Sequence, residues 1–369
     1  MHTHDLELVN VRKVYPGGTV AVHGFDLKVE KGEFVSFVGP SGCGKTTTLR
    51  MIAGLEDITS GDLLIRDRNF TRVPAEQRPT ATIFQNYAIF PHMTVRQNIA
   101  FGLEVRRVAP REIRRRVDAI IGKLDLGAVA DAKERGLSGG QKQRVALARG
   151  LVTEPDILLL DEPLGALDAN LRKSIQEELK LLQRELGVTF IFVTHAQSEA
   201  LSMGDRVVVM NAGRVEQISD PFTLYTRPRT PFVARFIGRN KIIEGELAEA
   251  GPARAVVRTR FGALSGAPGF DAGTAAPGAQ AMVVAPSEYV EVLPQGAAPE
   301  HGETEGVSGV VTALDAVGHV AYVSVRLDDA LSVRLETYRE KIEGRGVGPG
   351  AQVDLRWRPD RATVVLAAA

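Results

Sequence analysis

The stretch Gly39-Pro40-Ser41-Gly42-Cys43-Gly44-Lys45-Thr46 fits the pattern G-x-x-x-x-G-K-[ST], and the chemistry open to it is the cradling of phosphate groups. Glycines let a backbone approach an oxyanion closely, successive N–H groups turn toward it, and a following helix start favours negative charge. The implied ligand is a nucleoside triphosphate. Asp161 and Glu162 close the apolar run Ile157-Leu158-Leu159-Leu160, and an Asp delivered to a strand end suits a Mg²⁺-holding carboxylate. Glu162 then stands where it can orient or deprotonate a water, although two carboxylates at a strand end also make an ordinary solvated turn. Ser138-Gly139-Gly140-Gln141 has the composition of a second anion site, and equally that of a plain capped helix. His195 follows the apolar run Val188–Val193, where a structural histidine fits as well as a catalytic one. Tyr15 precedes the phosphate loop and can stack on a purine or pack a turn. Cys43, the single cysteine, lies beside the helix start and Lys45, a setting expected to favour the thiolate and to face it toward bound phosphate.

Positioning these groups takes alternating strands and helices. Phe34–Val38 reads as a buried strand before the loop, and Lys45–Ala53 as a helix that Gly54 closes. Leu6–Val14, Val20–Val29 and Ala81–Phe84 have strand character, the last ending at Gln85. At Thr94 the period changes: Thr94 and Gln97 form a capping box, and Val95, Ile99 and Leu103 share one helical face. Arg111, Arg114, Arg115 and Arg116 lie on a second helical stretch, Arg111–Leu124. Without interleaved aromatics they read as a solvated face and not as a nucleic-acid reader. Leu171, Ile175, Leu179, Leu182 and Leu186 repeat at helical spacing as a core stripe, with Gly187 as its stop. Lys+Arg and Asp+Glu both number 45, so the charge balance draws the chain neither to nucleic acid nor to anionic lipid. The lone cysteine rules out an internal disulfide. The opening MHTHDLELVN does not read as a signal peptide, and no apolar run is long enough to span a bilayer. Any membrane role is expected to come through a partner.

Tyr15, the loop Gly39–Thr46, Gln85, Leu137-Ser138-Gly139-Gly140-Gln141, Ile157–Pro163, Asp168 and His195 stand in the order of an ATP-binding-cassette ATPase. About the first 240 residues resemble that family. Phe84–Leu103, Thr189–Leu201 and Pro231–Asn240 resemble the subclass that energises uptake of sugars, polyamines or ferric iron. The resemblance implies an α/β P-loop NTPase, with a RecA-like core, an inserted helical subdomain at about 90–155 and an antiparallel β region. It implies that Tyr15 stacks on adenine and that Lys45 contacts the β- and γ-phosphates of ATP. Thr47 would steady the α-phosphate. Mg²⁺ would be held by Thr46 and Asp161 and touched by Gln85. Glu162 would be the general base, and His195 would hold γ-phosphate and water in line. Ser138, Gly139, Gly140 and Gln141 would face the nucleotide of an opposite copy in a head-to-tail homodimer, with Asp168 crossing the same interface. Two membrane permease subunits and, indirectly, an extracytoplasmic solute-binding protein are the implied partners, with no nucleic acid. The implied location is the cytoplasmic face of the membrane. Three departures from the family pattern stand out. Ala196 follows the switch histidine where Asp is common, Gly165-Ala166-Leu167-Asp168 lacks a usual small polar residue, and Glu134-Arg135-Gly136 lacks a usual proline.

The residues past Asn240 change character. Gly251–Gly278 is rich in Gly, Ala and Pro, and short strand candidates recur at Lys241–Leu247, Ala255–Arg260, Ala281–Ala285, Tyr289–Leu293, Gly309–Ala313, His319–Leu327, Leu331–Leu335 and Gln352–Trp357. Such a series predicts a small β-barrel. Behind this ATPase it resembles the importers' oligonucleotide/oligosaccharide-binding (OB) type regulatory domain, giving domains 1–240 and 241–369. Gly296–Glu305 reads as a loop. The family's Arg-Pro-Glu is here replaced by Ala285-Pro286-Ser287-Glu288. Glu199–Ile218 and Phe236–Asn240 look most like the polyamine type, with ferric-iron and sugar importers as alternatives. A soluble ABC ATPase of DNA repair would need a long heptad insertion, which this chain lacks.

Overall fold

Strand and helix periods alternate through the first 220 or so residues and produce a layered α/β unit. The computed structural model describes residues 4–165, 168–299 and 302–367. The order is β1 (His4–Val14), β2 (Val20–Glu30), β3 (Phe34–Val38), α1 (Lys45–Ala53), β4 (Ser60–Ile65), β5 (Arg68–Asn69) and β6 (Thr80–Ile83). There follow α2 (Val95–Val105), α3 (Pro110–Lys123), α4 (Gly139–Leu151), β7 (Ile157–Asp161) and α5 (Ala169–Leu186). Then come β8 (Thr189–Thr194), α6 (Gln197–Met203), β9 (Arg206–Asn211) and β10 (Arg214–Ser219), with the short helices α7 (Pro221–Thr226) and α8 (Pro231–Phe236).

β3, β7 and β8 are apolar along almost their whole length because helices or the other sheet cover both faces. They sit in a six-stranded sheet of order β10-β9-β3-β8-β7-β6, parallel except for the β9–β10 pair. β1 instead shows alternation, burying Leu6, Leu8 and Val11, and belongs to an antiparallel sheet of order β2-β1-β4-β5. Val35, Phe37 and Ile191 pack with Leu49 and Ile52 of α1 and with Leu6 and Val22 of that second sheet. Ile99, Leu103, Val117, Ile121, Val145 and Ala148 join α2, α3 and α4 in a second cluster with Leu158, Leu160 and Phe192. The sheet thus brings the C-terminal ends of β3, β7 and β8 side by side, the usual place for a ligand in an open α/β sheet.

The described chain divides into two compact units, Met1–Pro221 and Phe222–Ala369. In the second unit β11 (Lys241–Glu249), β12 (Ala255–Thr259), β13 (Gly262–Pro268) and β14 (Gln280–Ala285) close into a barrel with a late strand. After β15 (Glu291–Pro294), β16 (Glu305–Val317), β17 (Val320–Arg326), β18 (Ser332–Tyr338) and β19 (Gln352–Trp357), that strand, β20 (Thr363–Leu366), completes the barrel order β11-β12-β13-β20-β14. A five-stranded sheet of order β15-β19-β16-β17-β18 packs with it through Val283, Val307, Val323, Leu355 and Trp357. The loop read at Gly296–Glu305 ends in a strand residue: Glu305 accepts from the Ser265 hydroxyl at 2.7 Å and pairs with Arg254 at 2.9 Å.

Candidate active site

The turn into α1 is set by Gly44, whose φ of +102° few side chains tolerate. A Cβ there would lie 2.6 Å from the Ala21 carbonyl oxygen, and one on Gly39 would lie 2.1 Å from that of Met210. Neighbouring backbone therefore demands glycine at both positions. Lys45 is buried, and its ammonium donates to the Gly39 carbonyl at 2.8 Å and the Pro40 carbonyl at 2.9 Å. Pro40, Ser41 and Gly42 stay exposed, and Thr47 is half-buried. Thr46 Oγ1 donates to Asp161 Oδ1 at 3.3 Å, joining the loop to the end of β7. Burial pushes the Asp161 carboxyl up, with the Thr46 hydroxyl and the Arg50 and Lys45 charges opposing it.

The next residue turns the chain sharply. Glu162 has φ +46°, an uncommon value for a residue with a Cβ, and its N–H donates to the Val193 carbonyl at 3.0 Å. That turn places Glu162 Oε2 3.3 Å from His195 Nδ1 and 3.4 Å from Gln85 Nε2. Three groups far apart in sequence thereby share one carboxylate oxygen beside the Thr46–Asp161 pair. The combination can bind phosphate, order a water and take a proton from it.

The strand end before His195 is fixed from below. Thr194 Oγ1 donates to the buried Glu199 carboxylate at 2.5 Å and accepts the Ala196 N–H at 3.0 Å, while Arg172 lies 3.6 Å from Glu199. Ala196 occupies the N-cap of α6 and gives it no side-chain bond. Restoring a capping carboxylate with Ala196→Asp should stabilise the first unit by about 1 kcal/mol. Calorimetry should show its melting temperature rise by about 2–4 °C, and an unchanged or lower value would count against the uncapped-helix account.

Tyr15 is half-buried, with its hydroxyl donating to Glu56 Oε2 at 3.2 Å and the Lys13 ammonium 5.0 Å from its ring centroid. Lys13, bonded to Glu56 at 2.6 Å, holds that carboxyl below its usual range. Ser138 and Gln141 form the expected capping box at α4: the Gln141 N–H donates to Ser138 Oγ at 3.3 Å and the Ser138 N–H to Gln141 Oε1 at 2.9 Å. Ser138 and Gly139 are exposed, and Gly140 is buried against Leu171. Asp168 is exposed and caps α5, accepting the Leu171 N–H at 3.0 Å. Ala166 and Leu167, from the departure before Asp168, lie outside the described residues.

Cys43 corrects one expectation. Its thiol is buried, 3% exposed, in a cluster with Phe37, Leu49 and Met210, and so does not face the nucleotide. Left-handed Gly42 and Gly44 flank it; its N–H donates to the Pro40 carbonyl at 3.4 Å, and its sulfur accepts from the Lys45 ammonium at 3.6 Å on the inner side of the loop. Maleimide labelling of the native chain should therefore be slow and equal with and without MgATP, becoming fast in denaturant. Rapid native labelling that MgATP suppresses would restore the outward-facing thiol. Nothing in the residue pattern marks Tyr87, Arg149 or Glu199 for a role. Their contribution depends on left-handed backbone and long-range hydrogen bonds that no spacing announces.

The phosphate loop, the Asp161–Glu162 strand end and His195, on a mostly parallel sheet with a helical lobe, define an ATP-binding-cassette ATPase. The chain belongs to the ABC transporter family: residues 22–165 match the ABC transporter model, and residues 287–365 match the TOBE domain model. It is similar to the spermidine/putrescine import ATP-binding protein PotA of Acidothermus cellulolyticus, 53% identical over 260 residues, which cover 70% of this chain and 68% of that one. The protein of the same name from Thermobifida fusca is 54% identical over 65% of this chain and 63% of its own length. Among solved structures, cbiO1 of Clostridium perfringens, part of the ABC transporter complex cbiONQ, has a TM-score of 0.56 and 30% identity, covering 60% of this chain and 91% of its own. The ATP-binding cassette MJ0796, a dimer in a post-hydrolysis state bound to ADP and Pi, has a TM-score of 0.52 and 32% identity, covering 58% and 98%. The chain is thus an importer-type ATPase with ATP as substrate and a C-terminal OB-type domain.

Proposed function

We propose that the chain couples MgATP hydrolysis to import of a polyamine. The observation that carries the catalytic half is the convergence of His195 and Gln85 on Glu162 Oε2, next to the Thr46–Asp161 pair. In this reading Lys45 leaves its loop carbonyls for the β- and γ-phosphates, and the Gly39–Thr47 backbone cradles the rest. Glu162 takes the proton of the attacking water, His195 orients water and γ-phosphate, and Gln85 senses both. Among the described residues no group of three or more His, Cys, Asp and Glu could hold a metal. One carboxylate and one hydroxyl nevertheless suit Mg²⁺, an oxygen-seeking ion that takes its remaining ligands from phosphates and water. Bound there, it would neutralise phosphate charge.

Tyr15 stacks on adenine, while the exposed Ser138–Gln141 turn and Asp168 meet a second copy of the chain across two ATP molecules. No helix among the described residues is long and apolar enough to cross a membrane. In this reading the chain sits on the cytoplasmic face of the membrane, attached to two permease subunits through the surface around Gln85–Asn98 and served by a solute-binding protein outside. The polyamine assignment rests on relatives about half identical over some two thirds of this chain and named for spermidine/putrescine import. Reconstitution with its permease and binding protein in vesicles tests it. Spermidine or putrescine should drive ATP hydrolysis and accumulate inside, and uptake of ferric iron or a sugar instead would overturn the solute.

A further inference from the structure

Gln85 lies on an exposed loop, and the one contact its side chain makes with the catalytic set, to Glu162, is long at 3.4 Å. Something else must hold it there. Two residues on, Tyr87 and Ala88 are both left-handed, with φ of +60° and +45°. For L-residues this costs about 1–2 kcal/mol each, so the turn persists only if its surroundings enforce it. A single guanidinium does so. Arg149, in the last turn of α4, donates through Nη2 to the Tyr87 carbonyl at 2.9 Å and through Nη1 to the Ala88 carbonyl at 2.5 Å. Its guanidinium carbon also lies over the Phe90 ring, 5.2 Å from the centroid. The buried Tyr87 side chain runs the other way, its phenol donating to the carbonyl of Pro163, the neighbour of Glu162, at 3.2 Å. The far end of the loop is closed separately by Asn98 of α2, which donates to the Phe90, Met93 and Thr94 carbonyls and accepts the Phe90 N–H.

We infer that Arg149 is a positioning residue for hydrolysis. It fixes the Tyr87–Ala88 turn, and with the Tyr87 phenol it straps the Gln85 loop to the Glu162 strand end. This rests on the reading of Gln85 as a group acting at the nucleotide. Ser138 starts α4 and Arg149 lies near its other end, so the helix is a rod of roughly 20 Å between the exposed Ser138 turn and the Gln85 loop. A shift of α4 driven at the Ser138 end is passed to Gln85 through Arg149. Lysine cannot replace the fork, since one ammonium does not reproduce two divergent planar N–H bonds.

The test is a double-mutant cycle on the full-length chain, with turnover normalised to ATP-binding sites and ATP affinity and melting temperature measured alongside. Gln85→Ala should lower kcat, and Arg149→Met should lower it roughly 10- to 100-fold while ATP Kd changes less than about threefold. The double variant should be no slower than the worse single one. Arg149→Lys should recover less than half of the loss, and Tyr87→Phe should fall in the same direction by about threefold. Multiplying effects, or an Arg149→Met kcat within about twofold of the parent, would overturn the inference. If Gln85→Ala alone leaves kcat unchanged, the Gln85 reading fails and the inference falls with it, an outcome distinct from multiplying effects. Should Arg149→Met not fold, Tyr87→Phe takes its place in the cycle under the same criteria.

Discussion

Glu162→Gln is expected to slow ATP turnover roughly 10²–10⁴-fold while leaving ATP affinity within about threefold. The substitution keeps length and shape. An amide oxygen can still sit 3.3 Å from His195 Nδ1 and 3.4 Å from Gln85 Nε2, so the cluster has no reason to rearrange. What disappears is a base able to take a proton from water, and the loss corresponds to about 2.7–5.5 kcal/mol of transition-state stabilisation. Uncleaved ATP should then hold two copies together, visible as a dimer on gel filtration in MgATP. Turnover near that of the parent would remove Glu162 from the role of base. A fall in ATP affinity as large as the fall in turnover would mean that its charge serves binding instead.

Much of this site is legible in the sequence because its parts are local. The phosphate loop, the helix it opens and Gly54 at that helix's end follow from glycine and periodicity, and α1 does run Lys45–Ala53 with Gly54 left-handed. Both capping boxes, Thr94 with Gln97 and Ser138 with Gln141, close as their spacing predicts. The stripe after Asp168 becomes α5, with Gly187 left-handed at its end. What the sequence hid was direction. Cys43 points into the core between two left-handed glycines, and Glu162 reaches His195 only through a left-handed turn that no residue preference announces.

The barrel shows the same limit from the other side. β13 and β20 were not among the expected strands. β13 reads Gly-Ala-Leu-Ser-Gly-Ala-Pro, a composition that signals turns, yet Gly266 is needed because a Cβ there would lie 2.8 Å from the Ala362 carbonyl oxygen. Small residues in that strand mark a close approach of two backbones and not a loop. β20 pairs with β13 and β14 from near the end of the chain, so only the closed barrel defines it.

Gly39→Ala should lower kcat/KM for ATP about 10²-fold. The added methyl would meet the Met210 carbonyl oxygen at 2.1 Å and the Cys43 thiol at 2.7 Å, and the first of these is backbone that no rotamer change can move. Met210 lies near the end of β9, paired with Val215 of β10 and next to Val209, which pairs with Val38 of β3, so the phosphate loop must move instead, by more than about 1 Å to reach ordinary contact. That shift drags the Gly39 carbonyl from Lys45 and displaces the N–H groups aimed at phosphate. Overpacking adds a stability loss of about 1–3 kcal/mol, seen as a melting temperature lower by roughly 2–12 °C. Gly122 supplies the control: it lies in the last turn of α3 with nothing within 4 Å of a Cβ, so Gly122→Ala should leave turnover alone and stabilise by up to about 0.5 kcal/mol. Titration with a fluorescent ATP analogue and steady-state turnover read both variants. Parent-like affinity and turnover in Gly39→Ala would show that the loop can give way without disturbing the nucleotide.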